Sequence, residues 1–149
     1  MIEKEIQVFV DSLTNYFQTV TNEQASVGTP FLIDDIPDYL DEYTGVIGIS
    51  GTHRGSVFFT APKPLLKHIL WAMKILDGKE SHLKDLVGEI SNTISGNARK
   101  HFGDKFFLST PKILDDDSKP RAEAKVLPDN YVVPINWRHL KANLIVDLH

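Results

Sequence analysis

The chain has 149 residues, 42% of them hydrophobic and 24% charged, with a net charge of −4. This is a globular composition for one domain with a substantial core, and its acidic balance, with Lys and Arg scattered, argues against a nucleic-acid partner. The absence of cysteine excludes disulfides, thiolate metal sites and a Cys nucleophile.

Met1–Ile6 lacks the apolar core of a signal peptide, and no apolar run reaches membrane length. The expectation is a single soluble, cytoplasmic domain over 1–149. From the N-terminus, Ile6, Phe9, Val10, Leu13, Tyr16, Phe17 and Val20 recur at helical spacing, predicting a first amphipathic helix over Ile2–Val20. An extended stretch, Ala25–Ile33, and a polar loop, Asp34–Tyr43, follow. The run VIGISGTHRGSVFFT, Val46–Thr60, predicts a β-hairpin whose turn is bounded by glycines. The spacing of Gly45, Gly48, Gly51 and Gly55 fits neither a dinucleotide fingerprint nor a P-loop.

Pro64 suits the first turn of a second helix, in which Leu65, Leu66, Ile69, Leu70, Met73 and Leu76 keep helical spacing up to a stop at Gly78. Ser81 is the expected N-cap of a third helix that reaches Phe102 before Gly103. Strand-like runs cover Phe106–Leu114, Tyr131–Trp137 and Leu140–Leu148, with Arg121–Leu127 a candidate fourth. Asp115–Asp117 reads as a solvated turn; three adjacent carboxylates can hold a cation, but no further ligands accompany them. Trp71 and Trp137 are expected in the core or an interface.

The sequence Thr29-Pro-Phe-Leu-Ile-Asp-Asp35 resembles Thr110-Pro-Lys-Ile-Leu-Asp-Asp116. Each follows a long helix and precedes two strand-like runs, the pattern of a duplicated unit. The expected fold class is α+β: a duplicated helix-plus-strands unit forming a largely antiparallel sheet with long helices packed on it.

The third helix carries the candidate site. At about 100° per residue, Leu83, Leu86, Val87, Ile90, Ile94 and Ala98 form its buried stripe, and His101 falls on the same side. Asp85, Glu89, Asn92 and Gly96 cluster on the opposite side. Glycine in a helix interior costs about 1 kcal/mol relative to Ala, so an outward Gly96 suggests a surface that another molecule approaches closely. Gly88, off to one side, is assigned to a helix–helix contact. Glu three residues before Asn is by itself an unspecific pattern, and a solvated helix face is its ordinary explanation. Among the six histidines, none forms a helical metal-ligand pair or neighbours a Ser in a nucleophile elbow.

Asp85-Leu-Val-Gly-Glu89-Ile-Ser-Asn92, the continuation SGNARK (Ser95–Lys100) and the segment TGVIGISGTHRGSVFFT (Thr44–Thr60) together resemble the CheC/CheX/FliY family of bacterial chemotaxis phosphatases, the CheX branch most closely. The resemblance covers nearly the whole chain and implies a CheC-like fold. It also implies dephosphorylation of a CheY-like receiver protein, with the aspartyl phosphate and its Mg²⁺ on the partner, no cofactor or metal bound by this chain, and a homodimer. Glu89 and Asn92 are then the catalytic pair. Asn92 orients the attacking water, since an amide accepts and donates hydrogen bonds but is no general base at neutral pH. Glu89 is implied to pair with a Lys of the partner; Asp85 extends that contact, and Gly96 admits the partner's loop.

Pro111 follows Asn92 more closely than the family's Pro follows its Asn. By the repeat offset, Val8 and Asp11 occupy the positions of Glu89 and Asn92 in the first helix, so one site is expected rather than two. A non-catalytic interaction module of the flagellar switch type is the alternative reading, and a receiver outside chemotaxis remains open as the substrate.

Overall fold

The computed structural model of the chain describes residues 2–114 and 130–148; the Asp115–Asp117 turn and the Arg121–Leu127 strand fall outside them. The first helix, α1, spans Ile2–Thr21, and Ile6, Phe9, Val10, Leu13, Tyr16 and Phe17 are all buried, as their spacing requires. It ends at Asn22, which takes the left-handed conformation (φ 60°) and donates its backbone N–H to the Gln18 carbonyl at 3.0 Å. Asn is among the few non-glycine residues that tolerate this cap. Short strands β1, Ser26–Val27, and β2, Phe31–Ile33, follow, then a 3₁₀ turn at Ile36–Tyr39.

Strands β3, Tyr43–Gly51, and β4, Gly55–Ala61, form the expected hairpin, paired from Tyr43↔Ala61 to Ile49↔Gly55. The second helix, α2, is Lys63–Ala72, with Pro64 in its first turn. It stops well short of Gly78. Lys74 adopts φ 65° and donates to the Trp71 carbonyl at 2.9 Å, while Ile75 donates to the Leu70 carbonyl at 2.8 Å. These two bonds make a Schellman cap built on Lys rather than Gly, which leaves Leu76 outside the helix and 75% exposed.

The third helix, α3, spans Glu80–Phe102, so Ser81 lies within its first turn and is not the cap. Lys79 occupies the cap position without a side-chain bond. The Asp77 carboxylate organises this start instead, accepting from the Lys79 N–H at 3.1 Å and facing His82 Nδ1 at 2.8 Å. These contacts, the backbone one foremost, hold the Asp77 carboxyl below its ordinary range. Tyr43 braces the same turn by donating its hydroxyl to Glu80 Oε2 at 2.6 Å.

After the helix stop at Gly103 (φ 59°), the expected strand Phe106–Leu114 is two strands, β5, Phe106–Leu108, and β6, Lys112–Leu114. Both pair with β3, but the register slips by one residue between Ile49↔Leu108 and Val46↔Lys112. Pro111 sits in the slip, where a ladder N–H is not needed, and Ser109 bridges it by accepting the Gly48 N–H on its hydroxyl at 2.8 Å. Strands β7, Asn130–Trp137, and β8, Leu140–Leu148, close a two-residue hairpin in which Arg138 and His139 both have positive φ.

Among the described residues the strands make one antiparallel sheet, ordered β1–β7–β8–β4–β3–β5, with β2 also on β7 and β6 also on β3. The order exposes the duplication. Shifted by 81 positions, α1 overlays α3, and β1 and β2 overlay β5 and β6. Each unit lends its short first strands to the other unit's edge, while β4 and β8 pair at the centre. All three helices pack on one face, over a core that includes Phe9, Phe17, Phe59, Leu66, Ile90, Ile94 and Trp137. The other face carries a smaller cluster, Ile33, Ile36, Phe58, Leu114, Val132 and Ile145, to which the 3₁₀ turn contributes.

Candidate functional site

The inner stripe of α3 is as the wheel requires: Leu83, Leu86, Val87, Ile90, Ile94 and Ala98 are buried. Two small hydroxyls, Ser91 and Ser95, join them. Ser91 marks a close approach of helix and sheet. A Cβ at Gly45 of β3 would overlap the Ser91 hydroxyl and crowd Val87 Cγ1 at 3.2 Å, so the glycine allows α3 to seat. With that face held, the opposite face points outward. Asp85, Glu89 and Asn92 are exposed on it.

These side chains line an open surface groove of about 570 Å³, together with Lys84, Gly88, Thr93 and Ile113. Ile113 comes from β6, so the groove runs between α3 and the edge strand next to it. Gly88 belongs to this groove and not to a helix–helix contact. The position its Cβ would take lies 3.7 Å from Ile113 Cδ1, so the bare backbone keeps the groove wide beside Glu89. Thr93 donates its hydroxyl to the Glu89 carbonyl at 2.9 Å, one turn back along the helix.

Gly96 lies one turn beyond Asn92 and has nothing within 4 Å of where a Cβ would stand. Packing inside the chain therefore does not require glycine here. Gly96→Ala is expected to stabilise the isolated protein by about 0.5–1 kcal/mol, through helix propensity and a less flexible unfolded chain. A thermal melt checks this; an unchanged or lower midpoint would contradict it.

His101 is a helix-end residue, exposed in the last turn of α3. Trp137 is buried and Trp71 is 44% exposed. Among the described residues, no group of three or more His, Cys, Asp or Glu could hold a metal ion. No helix among them is long and apolar enough to cross a membrane. The groove residues Lys84, Thr93 and Ile113 were not legible beforehand. Lys84 and Thr93 flank the motif without belonging to it, and Ile113 arrives through strand pairing. At the Val8 and Asp11 positions, α1 faces a different shallow cavity shared with Ser12, Asn15, Asn97 and His101. No second Glu–Asn pair stands there.

The chain shares this architecture along its whole length with a chemotactic CheC-like protein of Shewanella oneidensis MR-1, at 25% identity and a TM-score of 0.82, covering 100% of both chains. The chemotaxis protein CheX of Vibrio vulnificus superposes with a TM-score of 0.81 at 23% identity over 98% of this chain and 99% of that one. A CheX of Borrelia burgdorferi, solved in complex with CheY, BeF₃ and Mg²⁺, gives 0.71 at 16% identity over 97% of each. These likenesses define a CheC-like fold. The model of the family described as chemotaxis phosphatase CheX matches residues 43–136, and the chain belongs to that family. No curated protein matches it by sequence.

Proposed function

We propose that the chain is a phosphatase of a phosphorylated CheY-like receiver, with the outward face of α3 entering the partner's acylphosphate site. The observation that carries this is the exposure of Glu89 and Asn92 one turn apart on a groove-lining helix face, in a member of a phosphatase family. The Borrelia neighbour was solved bound to CheY, which supports a partner of the same class here.

The chemistry asks little of this chain. The partner holds the phosphoryl group on an Asp carboxylate together with Mg²⁺, which neutralises charge on the phosphoryl oxygens. Water forms a new bond to phosphorus as the acyl oxygen–phosphorus bond breaks, leaving the free Asp carboxylate and inorganic phosphate. Asn92 accepts a hydrogen bond from that water through its amide oxygen and holds it in line, a contribution of orientation rather than proton abstraction. Glu89 pairs with a Lys ammonium of the partner and sets the register of docking. Asp85 extends the acidic rim, and Gly96 lets the partner's loop lie against the helix backbone. A homodimer and a cytoplasmic location belong to the same proposal; the exposed Phe31 and Leu32 on edge strand β2 suit a self-contact.

Glu89→Gln keeps the shape of the side chain and removes its charge. It is expected to raise KM for the phosphorylated receiver about 10-fold, the scale of one partly screened ion pair, with kcat changed much less. Steady-state phosphate release against receiver concentration checks this. An unchanged KM in Glu89→Gln would remove Glu89 from the docking contact. A native chain that binds the receiver without speeding release would favour the interaction-module reading.

A further inference from the structure

Helices α1 and α3 cross antiparallel: Phe9 meets Phe102 with ring centroids 5.8 Å apart, and Ser12 bonds to the Thr93 carbonyl at 3.4 Å and accepts from Asn97 Nδ2 at 2.9 Å. Ser12 and Thr93 are equivalent under the 81-residue shift, so the local two-fold axis passes between them. Asn97 is the counterpart of Tyr16 under the same shift. Asn97 sits over Ser12 and lines a cavity with Val8; by the two-fold relation Tyr16 lies on the side of α1 turned to α3, toward Thr93 and the turn that carries Glu89, the counterpart of Val8. The Tyr16 side chain is 4% exposed, and its hydroxyl has no hydrogen-bond partner.

A buried phenol with an empty hydroxyl is uncommon, because such a group gives up water and gains nothing in return. Apolar packing alone is served as well by Phe. Burial, and after it the charge of Glu89, pushes the Tyr16 phenol well above its ordinary pKa, so the hydroxyl remains a proton donor at every working pH. A neutral donor brought within reach of a carboxylate fixes that carboxylate's rotamer.

We infer that Tyr16 is a positioning residue for Glu89: in the docked complex its hydroxyl donates to the Glu89 carboxylate and holds it toward the partner's ammonium. This rests on the receiver-phosphatase reading of the α3 face. Glu is a long side chain whose rotamers must be ordered on docking, and a preplaced donor lowers that cost. Tyr16 touches neither the partner nor the phosphoryl group, so its effect reaches the reaction through Glu89 alone.

The test is Tyr16→Phe, made in the native chain and in Glu89→Gln, with three readouts. The first is the dissociation constant for a receiver charged with Mg²⁺ and beryllium fluoride, a stand-in for the phosphoryl group. The second is KM and kcat for phosphate release, and the third is the thermal midpoint. Binding is expected to weaken about fivefold in Tyr16→Phe, with KM rising in parallel and kcat within twofold of native. The midpoint should hold or rise, since the lost hydroxyl made no bond. In the Glu89→Gln background, where the acceptor is altered, Tyr16→Phe should add little. Equal affinity and KM for native and Tyr16→Phe would overturn the inference, as would an equal loss in both backgrounds. A native chain that binds but does not release phosphate fails the phosphatase reading, yet leaves the dissociation constants to decide Tyr16. No binding by the native chain would end both.

Discussion

Asn92→Ala is expected to lower kcat for release of phosphate from the phosphorylated receiver by about 100-fold or more, the scale on which loss of one aligned reacting group is felt. KM should stay within a few-fold of native. The side chain is exposed on α3 and forms no part of the core, so its removal leaves the fold and the Glu89 contact in place. What disappears, on the proposed mechanism, is the amide oxygen that would hold water in line with the scissile bond. An interaction present only as the reaction proceeds appears in kcat, while uniform binding appears in KM. Rate measurements over a range of receiver concentrations separate the two. A change confined to KM would make Asn92 a docking residue.

Gly55→Ala is expected to be strongly destabilising, costing about 3 kcal/mol or more. Gly55 opens β4 at φ 153° and is paired on both sides, to Ile49 of β3 and Leu148 of β8. A Cβ there would overlap the backbone carbonyl oxygen of Asp147, with the Leu148 Cα a further 3.1 Å contact. Backbone paired to a strand on either side cannot swing aside as a side chain tip can. The thermal midpoint should fall by about 10 °C, against the rise expected for Gly96→Ala. A loss under about 1 kcal/mol would mean that the β4–β8 pairing relaxes at its end.

Much of the architecture was legible because it follows from periodicity. Phe9, Leu13 and Phe17 announce α1; Leu83, Ile90 and Ile94 announce α3; alternation about Gly51 and Gly55 announces the hairpin. The Thr29 and Thr110 segments disclosed the duplication, and the outward set Asp85, Glu89, Asn92 and Gly96 was found from the wheel alone. The misreadings have local causes. Gly78 reads as the end of α2 because glycine is the usual left-handed cap, whereas Lys74 takes that conformation and forms both Schellman bonds. Ser81 looked like a cap, but Asp77, four residues earlier, collects the Lys79 N–H. The reading of one strand runs across Ser109-Thr-Pro111, the polar break with a Pro that divides β5 from β6.

The remaining features depend on contacts between distant parts of the chain. That each unit hands its first strands to the other's sheet edge is a matter of topology, which a repeat does not encode. It is this exchange that brings Ile113 beside Gly88 and turns a helix face into a groove. The approach of Tyr16 to Glu89 inferred from the helix crossing is of the same kind. Tyr16 reads as one more apolar position of α1 until the two helices are crossed.

The central claim is that this chain speeds hydrolysis of a partner's aspartyl phosphate. Its most direct test is the decay of a phosphorylated CheY-like receiver with Mg²⁺, followed by phosphate release with and without the native chain at concentrations where the two are shown to be bound. The account predicts that decay accelerates in proportion to the bound fraction. Decay at the receiver's own rate, with the complex fully formed, would contradict it.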